Sequence, residues 1–199
     1  MFAAKNQNKV SKLYFTITAI LFFGLFFNQG YAQPNKGEFI DASVGLGIVA
    51  PNDDRSEIDG TGFYAQAEYV WAPRTWFGVR PYAGLIIASG ESEEGEIQGL
   101  SIKSNAALLG AKIRLVAPIP YVAPFLESGV GMSIGSFETH TEYTNIEKDG
   151  VLIHIPFSVG LALGRRHNVE VKFTYYYHNA VDQFSGAAAF GLSFPINEN

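Results

Sequence analysis

From Phe39 to Phe194 the chain alternates apolar residues with small or polar ones at a period of two, and it does so eight times. That period gives an extended strand two chemically different faces; a helix would repeat every three to four residues. Beyond the N-terminal segment no run of 18 apolar residues occurs, so the chain offers no further helical membrane span.

The eight segments are expected near 39–49, 62–72, 76–89, 104–116, 121–135, 151–163, 168–178 and 185–194. The seventh alternates most cleanly. Val169, Val171, Phe173, Tyr175 and Tyr177 face one way, and Glu170, Lys172, Thr174, Tyr176 and His178 face the other. Connections alternate in length. Pro73-Arg74-Thr75, Ala117-Pro118-Ile119-Pro120 and Gly164-Arg165-Arg166-His167 are short, whereas 50–61, 90–103 and 136–150 read as long polar loops, with a shorter one at 179–184. In an antiparallel meander, connections of one parity share one end. Short turns at one end and long loops at the other are the habit of transmembrane barrels.

Alternation alone does not decide which face meets lipid, because a soluble barrel turns its apolar face inward. The polar face decides it here. It carries Gly45, Gly47, Gly78, Gly84, Gly110, Gly129, Gly131, Gly160 and Gly191 with charges scattered among them, which suits a crowded interior better than a water-facing exterior. The apolar face has no formal charge in the strand cores. Aromatics stand near strand ends at Phe63, Tyr69, Trp71, Phe77, Tyr175, Tyr177 and Phe194, as interfacial girdles do. One Lys or Arg on that face would cost roughly 2–4 kcal/mol at the bilayer midplane. The expected fold is therefore all-β, an eight-stranded antiparallel transmembrane β-barrel.

Ahead of the barrel, Lys5, Lys9 and Lys12 precede a mostly apolar stretch at 13–27, followed by Asn28-Gln29-Gly30-Tyr31-Ala32. This three-part layout is that of a cleavable signal peptide over 1–32, leaving 33–199 as the barrel domain. Losing those three lysines takes the 14 basic residues to 11 against 19 acidic ones, a formal charge of -8. No basic patch stands out, so nucleic acid is not an expected partner. With no cysteine, the chain can form neither disulfides nor thiolate metal sites, nor carry a lipid-anchored Cys.

With this signal peptide, this strand rhythm and strand-end motifs such as Phe184…Phe190-Gly191-Leu192-Ser193-Phe194, the chain resembles the small outer-membrane β-barrel domain family, which includes OmpX-like and OmpW-like proteins. The resemblance covers nearly all of 37–196. It implies a Gram-negative outer membrane, a monomer in contact with outer-membrane lipid, and insertion by the barrel-assembly machinery. The family often ends on an aromatic residue; here Pro195-Ile196-Asn197-Glu198-Asn199 follows Phe194.

Eight inward charges form the candidate site: Asp41, Glu68, Arg80, Lys112, Arg114, Glu127, Glu170 and Lys172, with His154 beside them. Four acids and four bases in a narrow lumen read first as a structural ion-pair network, and second as a gate or proton-linked path. Tyr64, Tyr82 and Tyr176 add bulk, and the glycines are expected to make room for the charged groups. The acidic stretches 51–60 and Glu91-Ser92-Glu93-Glu94-Gly95-Glu96 lack calcium-loop spacing and read as solvated loops.

An enzymatic reading centres on His178. Lipid A deacylases carry a His-x-Ser pair near the penultimate strand, but here the residues are His178-Asn179-Ala180, leaving Asp182 or Ser185 as partners in space. No Gly-x-Ser-x-Gly nucleophile elbow is identified. His140, His154 and His167 show no metal-ligand pattern. No catalytic residue, cofactor or metal is therefore assigned. The function expected is a non-enzymatic outer-membrane role, structural or through surface loops that meet an extracellular partner. The alternatives are a narrow conduit for small apolar molecules, as the OmpW-like resemblance implies, and a lipid-modifying enzyme. A Ser or Asp bonded to His178 and facing lipid would favour the enzyme.

Overall fold

In the computed structural model, residues 36–52, 58–91, 100–142, 144–181 and 183–198 are described. The expected leader at 1–32 and most of the two acidic stretches lie outside them.

Eight strands run β1 (Gly37–Pro51), β2 (Gly60–Arg74), β3 (Phe77–Glu91), β4 (Ser101–Val116), β5 (Val122–His140), β6 (Asn145–Leu163), β7 (Val169–His178) and β8 (Gln183–Glu198). Each pairs antiparallel with the next, and β8 closes on β1, so the sheet is a closed barrel in sequence order. Closure leaves no unpaired backbone facing lipid, the condition for spanning a bilayer with strands. The terminal residues past Phe194 extend β8, with Asn197 pairing to Glu38 and Glu198 to Gly37.

Burial alternates along every strand in the phase read from the sequence. Leu109, Ile113, Val130, Ile153, Phe157, Val171 and Phe190 stand on the exposed face, while Arg80, Lys112, Glu127 and Lys172 are buried. The apolar belt runs from Leu115 to Ala107 on β4 and from Val122 to Ile134 on β5, long enough to supply the roughly 9–11 residues a tilted strand needs to cross hydrocarbon. Above it the outward positions turn polar: Lys103 pairs with Glu138 at 2.9 Å, and Glu147 and Asp149 follow on β6. Exposed Trp71, Trp76 and Tyr121 mark the short-turn end.

Two expectations are corrected. The segment 136–150 is not a loop. β5 and β6 continue through it as a hairpin, register unbroken from Ile134↔Val151 to His140↔Asn145, so only 141–144 connect them. Its polar composition reflects its place above the belt, where the outward face meets water while Phe137 and Thr139 point inward and are buried. The second correction concerns the lumen. Its upper part is not polar: Val49, Ile86, Ile102, Leu108 and Phe137 point inward and form one cluster with Ile58 and Val181 from the connections.

Candidate functional site

The lumen is layered along the barrel axis. Toward the short turns lies a small apolar cluster of Ala123, Phe125 and Ala162; next to it a layer holds the eight charges, each projected inward by strand phase from β1, β2, β3, β4, β5 and β7. The register sets like charges side by side: Asp41 is opposite Glu68, and Arg80 is opposite Lys112. Like charges directly opposite on a sheet repel. The long side chains resolve this by reaching to nearby strands, where Arg80 meets Asp41 and Glu68 and Lys112 meets Glu68 and Glu127.

Arg80 is the hub. Its Nη2 lies 3.2 Å from Asp41, its Nε 2.5 Å from Glu68, and its Nη1 3.3 Å from Glu170 and 3.6 Å from Glu127. The Nε and Nη2 contacts pair charge without meeting hydrogen-bond geometry, whereas Nη1 donates to Glu170. Glu68 is the reciprocal hub, accepting from Lys112 at 2.9 Å and Lys172 at 2.6 Å. Glu127 accepts from Lys112 Nζ (2.8 Å) and Arg114 Nε (2.6 Å). Arg114 also holds Glu170 with both terminal nitrogens and lies over the Phe125 ring at 3.6 Å. Every member has a partner of opposite sign, which buried charge requires if it is to stay charged.

A neutral polar layer sits above. Gln66 donates to Glu68 (2.7 Å) and accepts from Tyr176 (2.8 Å), which is 3.0 Å from the Tyr64 hydroxyl. Beside it runs a second chain. Tyr82 meets His154 Nε2 at 2.5 Å, His154 Nδ1 meets Ser133 Oγ at 2.7 Å, and Ser133 Oγ meets His178 Nε2 at 2.8 Å. Ser133 has one proton to give, so one of the two histidines must donate to it, and the tautomers of the pair are linked. The glycines make room for rings as well as for the charged groups, since a methyl at Gly191 would lie 3.3 Å from Asp41 Oδ1 and one at Gly160 3.0 Å from Lys172 Cβ. A methyl at Gly131 would overlap Tyr82 Oη and His154 Nε2, and one at Gly110 would lie 2.7 Å from Tyr82 Oη. At Gly160 it would lie 2.5 Å from the Phe125 ring.

Sequence reasoning missed Ser133. Its signal was present: Gly131-Met132-Ser133-Ile134-Gly135 does have the Gly-x-Ser-x-Gly spacing. It lies in mid-strand in β5, however, with no strand-to-helix turn to raise the serine, and the spacing arises from small inward residues alternating with apolar outward ones. The partner of His178 is thus Ser133, facing the lumen and fully buried, and not a lipid-facing group. Ser185 bonds Ser104 instead (2.9 Å), and Asp182 lies outside the described residues. Among the described residues no three His, Asp or Glu side chains form a metal-holding group.

No protein-family model and no curated protein matches the sequence. Solved structures do. Neisserial surface protein A aligns with a TM-score of 0.55 at 12% identity, covering 81% of this chain and 98% of that one. Ail, the attachment invasion locus protein of Yersinia pestis, aligns at 0.47 and 18% identity over 80% and 99%, and the outer membrane enzyme PagL at 0.43 and 16% over 79% and 99%. The first of these establishes a shared fold. The chain has the fold of the small eight-stranded outer-membrane barrels.

Proposed function

We propose that the protein is a monomeric, non-enzymatic barrel of the outer membrane that presents a β-sheet above the bilayer to an extracellular partner. The observation that carries this reading is the unequal height of the strands. β7 ends at His178, opposite His154, whereas β6 continues upward to Asn145. On that side Asn145–Ile153 has no strand partner among the described residues, and Asn145–Gly150 of it stands above the belt. Above the belt this is roughly 20 Å of open edge at ~3.3 Å per residue. An open edge is a template for strand addition, and above the belt it stands in water, where an extended peptide can reach it. Closure within the belt supports a monomer. The leader at 1–32 and a final strand that presents Phe194 to lipid support export and insertion by the barrel-assembly machinery.

Topology is the test. A cysteine at Asn145 or Ser92 should react with an impermeant reagent on intact cells, and one at Thr75, in a short turn, should not. Labelling of Thr75 alone would place the raised sheet on the wrong side and end this reading.

The enzymatic alternative rests on the Ser133–His178 bond. Ser133 is enclosed between the apolar cluster and the charge layer, so a lipid ester has no route to it. A fluorophosphonate should therefore leave Ser133 unlabelled in the folded protein, and stoichiometric labelling would restore the alternative.

A further inference from the structure

Below the charge layer, at the mouth ringed by the short turns, the lumen is only partly filled, by Phe125, Ala123 and Ala162. A cavity of about 120 Å³ opens there, with Phe39, Val70, Val116 and Ala162 among its walls. Arg80, Arg114 and the carboxylate of Glu170 stand at its inner end, Asn168 and Ser193 add polar wall, and Arg74 and Arg166 line it from the turns outside. The two inner arginines are committed to the carboxylates of the charge layer. The two outer ones are not. The lumen acids are matched four to four by the lumen bases, and Arg74 donates only to the carbonyl of its neighbour Pro73, at 3.3 Å. Among the described residues neither Arg74 nor Arg166 has a carboxylate within ion-pair distance.

This combination differs from the rest of the interior. An enclosed apolar cavity of about 150 Å³ takes up a whole benzene ring; the space here, about 120 Å³ and open at the mouth, holds most of one ring with its polar end outside. Here the space opens past two cations that have no carboxylate partner among the described side chains, and the apolar part of the wall concentrates their field at the mouth. We propose that the short-turn mouth is a binding site for a small organic monoanion with an apolar body, of the size of an aromatic carboxylate. The body fills the cavity against Val70 and Val116. The carboxylate stays at the rim with Arg74 and Arg166, because deeper in it would meet the carboxylates of Glu170 and Glu68. The site is independent of the surface reading above and lies at the opposite end of the barrel.

The experiment titrates 4-fluorobenzoate against the full mature chain in zwitterionic nanodiscs and follows the fluorine resonance. Saturable binding is expected, at least tenfold tighter than for uncharged 4-fluorobenzyl alcohol and weakening with added salt as exposed charges are screened. Arg74→Gln with Arg166→Gln should weaken 4-fluorobenzoate at least tenfold and leave the alcohol unchanged. Both positions are exposed, so the double variant keeps the fold, which circular dichroism checks. Ala162→Leu should reduce binding of both compounds by occupying the cavity. Absence of saturable binding to the unaltered protein would overturn the proposal. So would equal affinity for the uncharged compound, or unchanged benzoate affinity in the double arginine variant.

Discussion

At Arg80 the lumen is filled by eight charges; six residues further along the same strand, at Ile86, it is filled by aliphatic and aromatic side chains. Both layers occupy the same small cross-section, and an eight-stranded barrel leaves room only for side chains. They fail differently when altered. A charge layer is a closed account: removing one member leaves its partners buried and unpaired, a loss far larger than the net worth of the pair. The apolar layer has no such obligation. It loses contact and transfer energy in proportion to the volume removed, and neighbours can relax into the space. Specificity of register therefore resides in the lower layer, and tolerance in the upper one.

The contrast sets a ladder of effects. Arg80→Ala strips a cation from four carboxylates and should destabilise the barrel by about 3–5 kcal/mol in urea unfolding; a loss under 1 kcal/mol would mean the layer is not a coupled network. Glu127→Ala should follow closely, since it leaves Lys112 and Arg114 underpaired. Leu109→Arg and Phe157→Arg, on the lipid face, should cost roughly 2–4 kcal/mol and slow insertion into liposomes, while Asn145→Arg above the belt should insert normally. Equal insertion of all three would overturn the assignment of faces. Ile86→Val, in the upper layer, should cost only about 0.5–1.5 kcal/mol by the same unfolding assay, and a cost matching Arg80→Ala would erase the distinction between layers.

Strand number, phase and the inward direction of all eight charges were legible because a period of two carries face information residue by residue, as in β7 from Val169 to His178. What was not legible depended on height. Glu138, Glu147 and Asp149 are polar because they stand above the hydrocarbon, and polarity in sequence does not distinguish a raised strand from a loop. Ile102 and Phe137 fall in stretches read as loops, and they join Ile86 in an inward apolar cluster because nothing in a single strand says that the opposite wall is also apolar. Which partners each charge takes was equally hidden. Arg80 and Glu170 are 90 residues apart and meet only through closure of the sheet. Ser133 was missed for a related reason: its bonds to His154 and His178 require the β5–β6–β7 register, which alternation does not supply.

The central claim is that the lumen is closed by paired charge below and apolar packing above. Conductance of the purified mature protein in a planar bilayer tests it most directly. The layers predict no steady ionic current from the unaltered barrel over a range of voltages and salt concentrations. Stable, well-resolved channels from that same protein would contradict the closed lumen and return the conduit to first place.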